Sequence, residues 1–181
     1  MKVIQTPLPG VLILEPKVFG DSRGFFLESY NQRVMEAAGV AGRFVQDNHS
    51  LSARNVLRGL HYQIRCPQGK LVRVVAGEVF DVAVDLRRSS PAFGQWYGAN
   101  LSGENKRSMW IPPGLAHGFL VLSERADVLY KTTDYYDPEA ERTIAWNDPD
   151  LAIDWQLKGE PPVVSGKDSR GLRFRDAEAF E

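Results

Sequence analysis

The sequence predicts a mainly β protein built from antiparallel strands, and three observations carry that reading. Short segments rich in Val, Phe, Trp and Leu recur along the middle of the chain: Leu71 to Val75, Glu78 to Leu86, Trp96 to Leu101, Met109 to Ile111, Phe119 to Leu122 and Val128 to Thr133. Within Glu78 to Leu86 the large residues Phe80, Val82, Val84 and Leu86 alternate with Val79, Asp81, Ala83 and Asp85, a strand period with one wetter face. Turn signals at Pro67 to Gly69, Ala76–Gly77, Ser89 to Pro91, Ser102 to Glu104 and Pro112 to Gly114 separate these segments as in a sandwich or barrel.

Taken in order, the chain first offers one short, peripheral helix. It runs from an Asn31 cap through Val34, Met35 and Ala38 to Gly39, which suits the left-handed position just past a helix end. Val56 to Gln63 then reads as an apolar strand interrupted by Arg58 and His61, and the strands named above follow. From Glu160 onward, Pro161–Pro162 and the polar run Ser165 to Arg170 leave few core candidates before Leu172 and Phe174, so composition makes this tail a surface appendage. No repeat and no linker divides the chain, and residues 1–181 read as a single domain.

Composition then excludes several classes of function. A hydrophobic fraction of 43% with 25% charged residues is that of a globular chain, not a disordered or collagen-like one. A net charge of −1 provides no field that recommends nucleic acid or an anionic membrane as partner. No apolar run approaches the roughly 20 residues of a membrane span. Cys66 is the only cysteine, so neither an internal disulfide nor a zinc site of several thiolates is available; a reducing compartment and a cytoplasmic location fit. Charge is nevertheless uneven. Arg43, Arg54, Arg58, Arg65, Lys70 and Arg73 stand against Asp47 alone, so the middle strands either line an anion site or present arginines to solvent.

Histidine chemistry draws on His49, His61 and His117. His61 lies in the apolar strand Val56 to Gln63, where a lone histidine is more often a hydrogen-bonded core residue than a catalyst. His117 follows Ile111 to Ala116, a Pro-Pro-Gly turn that fixes the imidazole at the mouth of the next strand. The two segments resemble the two motifs of the cupin superfamily, which implies a cupin-type antiparallel β-barrel or jelly roll with a few short peripheral helices. The departures concern metal: the second ligand position is Gln63, and near the place of the cupin carboxylate stands Lys70, a cation that repels metal. Two histidines without an acid fall short of the three protein ligands of a catalytic zinc or iron site, so the barrel reads as metal-free.

A closer resemblance covers nearly the whole chain in order. Arg23 to Glu28, Gln46 to Ser50, Leu57 to Gln63, Gly69–Lys70, Pro112 to Phe119, Tyr130 to Tyr136 and Ser165 to Asp168 are similar to the motifs of the dTDP-4-dehydrorhamnose 3,5-epimerase family. Asn55 departs from the glycine common there before Val-Leu-Arg-Gly, at a turn rather than at a reacting group. The resemblance implies an isomerase of the rhamnose pathway that needs no metal or organic cofactor. It would invert carbons 3 and 5 of a dTDP-linked 4-keto-6-deoxyhexose through an enolate.

By the same resemblance His61 is the base, Asp168 its carboxylate partner and Tyr130 the proton donor, with nearby cations expected to lower the phenol's pKa. Lys70 is implied near the carbonyl. Arg23, Arg58 and Lys167 are implied as sugar or diphosphate contacts, Gln46, Asp47, Asn48, Glu28, His117 and Glu141 as polar contacts to substrate, and Tyr136 as the ring that stacks on thymine. The family also implies a homodimer, with N-terminal strands such as Val11 to Leu14 pairing across its interface. The alternatives are a related epimerase that inverts only carbon 3 or carbon 5, a non-catalytic barrel that holds a sugar nucleotide, and a metal-dependent cupin. The presence of His61, Asp168 and Tyr130 together argues against the second, and metal analysis decides the third.

Overall fold

A computed structural model describes residues 1–181. Its strands are β1 (Lys2–Gln5), β2 (Leu12–Glu15), β3 (Val18–Asp21), β4 (Gly24–Leu27), β5 (Gln46–Ala53), β6 (Leu57–Gln63), β7 (Lys70–Ala76), β8 (Glu78–Asp85), β9 (Trp96–Ser102), β10 (Ser108–Ile111), β11 (Leu115–Val121), β12 (Arg125–Thr132) and β13 (Glu141–Thr143), and its one α-helix is α1 (Gln32–Ala37). A six-stranded sheet runs β1-β2-β10-β7-β12-β5 and a five-stranded sheet β13-β6-β11-β8-β9, while β3 and β4 pair only with each other. The ladders between strands are antiparallel, as the alternation in Glu78 to Leu86 predicts. The two large sheets enclose a core that includes Ile13, Val72, Val74, Val79, Ala83, Met109, Phe119 and Val128. This is the mainly β jelly-roll architecture expected from the sequence.

The helix forms where its signals stand. The Asn31 side chain accepts from the Val34 amide at 3.3 Å. At the other end the Gly39 amide donates to Glu36 O and the Val40 amide to Met35 O, with Gly39 at φ +87°. That is the Schellman pattern, and it needs a residue free to turn left-handed.

Three expectations are corrected. The face of β8 that carries Asp81 and Asp85 is not wet: both side chains are fully buried, because that face points into the inter-sheet core while Phe80, Val82 and Val84 point the other way. The tail is not an appendage. It runs back over the outer face of the five-stranded sheet, bridging Val56 with Val163, Ile144 with Leu172 and Arg87 with Phe180. Trp155, Val164, Phe174 and Phe180 cover Leu57, Leu60, Tyr62 and Leu86 there. Leu57 and Leu60 are wholly removed from water, each contributing on the order of 2 kcal/mol through that cover. Finally, Val11 to Leu14 has no free edge for a second chain, since β2 is paired on one side with β1 and on the other with β10.

Asn55 occupies the turn between β5 and β6 at φ +65°, a left-handed position that asparagine tolerates as glycine does. Its side-chain amide donates to Pro161 O at 2.7 Å, so the departure from glycine ties this turn to the tail.

Candidate active site

A cavity of about 380 Å³ opens between the two sheets, large enough for part of a nucleotide-sized ligand. Strand period explains most of its wall. On β5 the residues Gln46, Asn48 and Ser50 line the cavity, and the residues between them point out. On β6, however, Arg58 and His61 both line it although they are three residues apart and a regular strand would send them to opposite faces. The ladder between β6 and β11 explains this: His117 stands opposite His61 but Phe119 opposite Arg58, so β6 carries one extra residue. Gly59 and Gly118 make the bulge possible. A Cβ on Gly59 would lie 2.5 Å from the Gly118 Cα, and one on Gly118 would lie 2.7 Å from Arg58 O. The glycines in Leu-Arg-Gly-Leu-His and Ala-His-Gly-Phe thus let the two strands meet with both imidazoles on the cavity side.

Each imidazole is held by its own carboxylate. His61 Nε2 lies 2.5 Å from Asp168 Oδ1, and His117 Nε2 lies 2.7 Å from Asp81 Oδ1. Asp168 comes from a 3-10 turn of the tail, Asp168–Arg170, and is 3% exposed. Burial raises its pKa, but hydrogen bonds from His61 and Ser165 and the charges of His61 and Lys167 outweigh it, so the carboxyl sits below its ordinary value. An ionised Asp168 accepts a hydrogen bond from Nε2–H of His61, which leaves Nδ1 as the basic nitrogen.

The facing sheet supplies Lys70 from β7 and Tyr130 from β12. Burial pulls the Lys70 ammonium down to about 8, with the charge of Glu141 acting in the opposite sense. Tyr130 departs from expectation. Its phenol is raised by burial, and the Arg58 charge that lowers it does not compensate, so in the free protein Tyr130 keeps its proton. At the mouth, the Glu141 carboxylate accepts from Lys167 Nζ at 2.8 Å and from the Tyr136 hydroxyl at 3.1 Å, and the Tyr136 amide donates to Gln46 Oε1. Tyr136 is 53% exposed at this mouth. Arg58 Nε donates to Ser52 Oγ at 3.0 Å.

Gln46, Asn48, Arg58, His61, Lys70, His117, Tyr130, Tyr136, Glu141 and Lys167 therefore line one cavity, with Asp168 directly behind His61. The remaining expected contacts are not brought there. Asp47 lies on the outer face of β5, one residue out of phase with Gln46 and Asn48, and pairs with Lys131 at 2.8 Å. Arg23 sits at the turn of the β3–β4 hairpin with its side chain 88% exposed and bound to Asp21, and Glu28 is exposed and accepts from Asn31. The sequence reading missed Asp81, hidden by its resemblance to a solvent-side residue. It also missed the work of Gln63, whose amide donates to Cys66 O and Tyr135 O and accepts from the Asp137 amide. The signal for such a brace is a glutamine at the end of an otherwise apolar strand, a place where a buried amide needs backbone partners.

No three His, Cys, Asp or Glu side chains converge as a metal site. Both imidazoles are engaged with carboxylates through Nε2, and Lys70 faces the same space. No helix is long and apolar enough to cross a membrane.

Comparison with known proteins agrees with this geometry. Residues 5–176 match the family model described as dTDP-4-dehydrorhamnose 3,5-epimerase. The chain is 65% identical over 181 residues to the dTDP-4-dehydrorhamnose 3,5-epimerase of Pseudomonas aeruginosa, covering 99% of both chains, and 58% identical to that of Shigella flexneri, again covering 99% of both. The crystal structure of the dTDP-6-deoxy-D-glucose-3,5-epimerase of Legionella pneumophila in complex with dTDP-4-keto-L-rhamnose superposes with a TM-score of 0.94 at 56% identity, covering 98% of this chain and 94% of that one.

Proposed function

The chain belongs to the dTDP-4-dehydrorhamnose 3,5-epimerase family, and we propose that it inverts carbons 3 and 5 of dTDP-4-dehydro-6-deoxy-D-glucose with His61 as base, Tyr130 as proton donor and Lys70 as the charge that stabilises the enolate. The observation that carries this reading is the placement of the His61–Asp168 dyad on one sheet and of Lys70 and Tyr130 on the sheet that faces it, around one cavity.

Inversion needs a base on one face of the sugar ring and a donor on the other, and opposed sheets supply the two faces. Carbons 3 and 5 flank the carbonyl, so each C–H is acidic only through its enolate, and every pKa unit separating it from the base costs about 1.36 kcal/mol. Nδ1 of His61 removes the proton, and Asp168 balances the imidazolium that forms. The Lys70 ammonium, held in a largely dry wall, meets the charge that develops on the carbonyl oxygen. Tyr130, whose burial keeps the phenol protonated, then gives its proton from the opposite face. Arg58 and Lys167 suit the diphosphate and sugar, the exposed ring of Tyr136 suits thymine, and Gln46, Asn48, His117 and Glu141 suit the polar groups between them.

The same reading includes a homodimer. The β3–β4 hairpin stands apart from both sheets, leaves Phe19, Phe25 and Phe26 exposed, and carries Arg23 away from the cavity. A second copy packed on this hairpin would cover the rings and receive Arg23 and Glu28 at its own cavity. The sole cysteine is free and exposed, which suits a cytoplasmic enzyme that makes an activated sugar for cell-surface polysaccharide. All of residues 1–181 are taken as one domain, because the tail both covers the five-stranded sheet and supplies Asp168.

The test is deuterium incorporation at carbons 3 and 5 of the 4-keto-6-deoxyglucose nucleotide in heavy water, followed by mass and proton NMR. Wild-type protein should label both positions, and His61→Ala should lose at least 10²- to 10⁴-fold at both while still binding nucleotide. Near wild-type exchange in His61→Ala would mean that the base lies elsewhere.

A further inference from the structure

The cavity contains two His–Asp pairs of nearly the same geometry, and only one is needed as a base. Their surroundings differ in a way that determines how many protons each holds. Asp168 receives His61 at 2.5 Å and has Ser165 and Lys167 beside it, so its negative charge is well met. Asp81 has less. It is fully buried on β8, its Oδ1 meets His117 Nε2 at 2.7 Å, and its Oδ2 is enclosed with no hydrogen-bond partner. Its cross-strand neighbours are Phe119 on β11 and Ala99 on β9, neither of which offers a donor or a charge from its side chain. His117 is itself only 7% exposed. The other ionisable side chains around the cavity are Arg58, His61 and Tyr62 on β6, Lys70 on β7, Tyr130 on β12, Tyr136 in the segment after β12, Glu141 on β13 and Lys167 in the tail; none lies on β9 or β11, the strands that flank β8 at Asp81.

An isolated negative charge at such a place is costly, and burial favours the form of the pair that is neutral overall. A neutral pair holds two protons among three places: the carboxyl of Asp81, Nε2 and Nδ1. If the carboxyl is ionised, both ring nitrogens carry protons. If it is protonated, its O–H donates to Nε2 and the ring proton resides on Nδ1. Both arrangements leave Nδ1 protonated. That nitrogen has no protein partner, and His117 lines the cavity.

We propose that Asp81 is a positioning residue that keeps a proton on Nδ1 of His117, making the second pair a hydrogen-bond donor to the substrate's carbonyl and enolate oxygen beside Lys70. The first pair, with one proton on Nε2 of His61, presents a bare Nδ1 and acts as base. One cavity thus uses the same two residue types in opposite roles, set by how well each carboxylate is solvated by the protein. The inference rests on the epimerase reading for the identity of the oxygen. It deepens that reading by giving His117 a defined chemical role and by assigning one to a buried aspartate behind it.

Imidazole nitrogen NMR of histidine-labelled full-length protein tests the proton count directly, without substrate or turnover. With His49, His61 and His117 as the only histidines, His49→Gln and His117→Gln assign the signals. At neutral pH His117 should show a proton-bearing Nδ1 and His61 a bare one. A bare Nδ1 on His117 overturns the proposal. The catalytic arm is Asp81→Ala, compared per folded site: kcat should fall about 10²- to 10³-fold, the loss expected for one donor to a developing oxyanion, with KM nearly unchanged. Solvent exchange and epimerisation should fall together, because a weaker enolate slows both. An unchanged kcat per folded site would show that Asp81 only fills the core, and if Asp81→Ala does not fold, the nitrogen spectrum of the wild-type protein still decides. Absence of exchange in wild-type protein would instead overturn the epimerase reading and leave the spectroscopic result standing.

Discussion

The two walls of the cavity are prepared for chemistry by different means. On the five-stranded sheet, the imidazoles of His61 and His117 are each oriented by a carboxylate, and Glu141 at the edge holds Lys167 and Tyr136. On the six-stranded sheet, Lys70 and Tyr130 owe their departures from ordinary pKa chiefly to burial. One wall is organised by partners, the other by loss of water. A partner fixes direction and proton position at modest cost to the fold. Desolvation keeps the Tyr130 phenol neutral and leaves the Lys70 ammonium short of a counter-charge until one develops on the substrate, at a cost to the fold.

The largest effect expected on the desolvated wall is that of Lys70→Met. Turnover should fall about 10²- to 10³-fold, because the charge facing the enolate oxygen is gone. Stability should move the other way. The folded-state pKa of Lys70 is about 8 against an ordinary 10.5, so between these values the unfolded chain binds more protons and stability rises with pH; below about 8 the whole penalty for burying the ammonium is present. Removing that ammonium should stabilise the protein near neutral pH by up to about 3 kcal/mol, read by chemical denaturation. The wild-type rate should decline above pH 8, as Lys70 loses its proton, and this limb should be absent from the residual activity of Lys70→Met. A destabilised Lys70→Met protein would show that Lys70 is held by partners after all, and the distinction between the walls would collapse.

Tyr130→Phe should have a smaller and more selective effect. Abstraction by His61 and stabilisation by Lys70 survive, so deuterium still enters recovered substrate, while net inversion falls about 10²-fold for want of a donor on the far face. The substitution conserves nearly all of the side-chain volume, so stability should change by less than about 1.5 kcal/mol. Equal, small losses in exchange and inversion would return Tyr130 to a packing role, with Lys131 or a bound water as the next donor to test. Lys131 is the weaker candidate, since it lies on the outer face of β12 and pairs with Asp47.

What could be seen in the sequence follows from how local each feature is. The strands from β7 to β12 were legible because apolar content and turn residues are local, and the helix because its cap and its glycine are. β5 was not, since Gln46 to Ser52 is polar on both faces: one lines the cavity and the other is an outer sheet face. Asp47 was misplaced because a motif reports neighbours in sequence, whereas a strand's period separates them in space. The convergence of Arg58 and His61 depends on a bulge whose cause, two glycines meeting across strands, lies in two distant segments. Asp168 reached the site through resemblance alone, and the depth of the tail around it came from packing that its composition did not suggest. Asp81 looked like a solvent-side residue because burial on both faces of a strand with two aspartates leaves no trace in its pattern.

The smallest effect distinguishes the walls from outside the cavity. The partner-organised wall needs the tail, and Asn55 is one of the tail's fastenings: it holds a left-handed turn and donates to Pro161 O at 2.7 Å. Asn55→Gly keeps the turn and loses the hydrogen bond, which should cost about 0.5 to 1.5 kcal/mol of stability, partly offset by glycine's ease at φ +65°. Asn55→Ala loses the bond and also the short polar side chain that lets asparagine tolerate left-handed backbone, which costs alanine up to roughly a further 1 to 2 kcal/mol. If the tail's seating governs Asp168, a looser tail impairs the base first. Turnover should then decline in the order wild type, Asn55→Gly, Asn55→Ala, by factors of a few, while the decline above pH 8 set by Lys70 stays where it is, because Lys70 owes its shift chiefly to burial on the opposite sheet. The measurement is a pH–rate profile of all three proteins beside their denaturation midpoints. A shift of the alkaline limb in step with stability would show that the two walls loosen together and share one support.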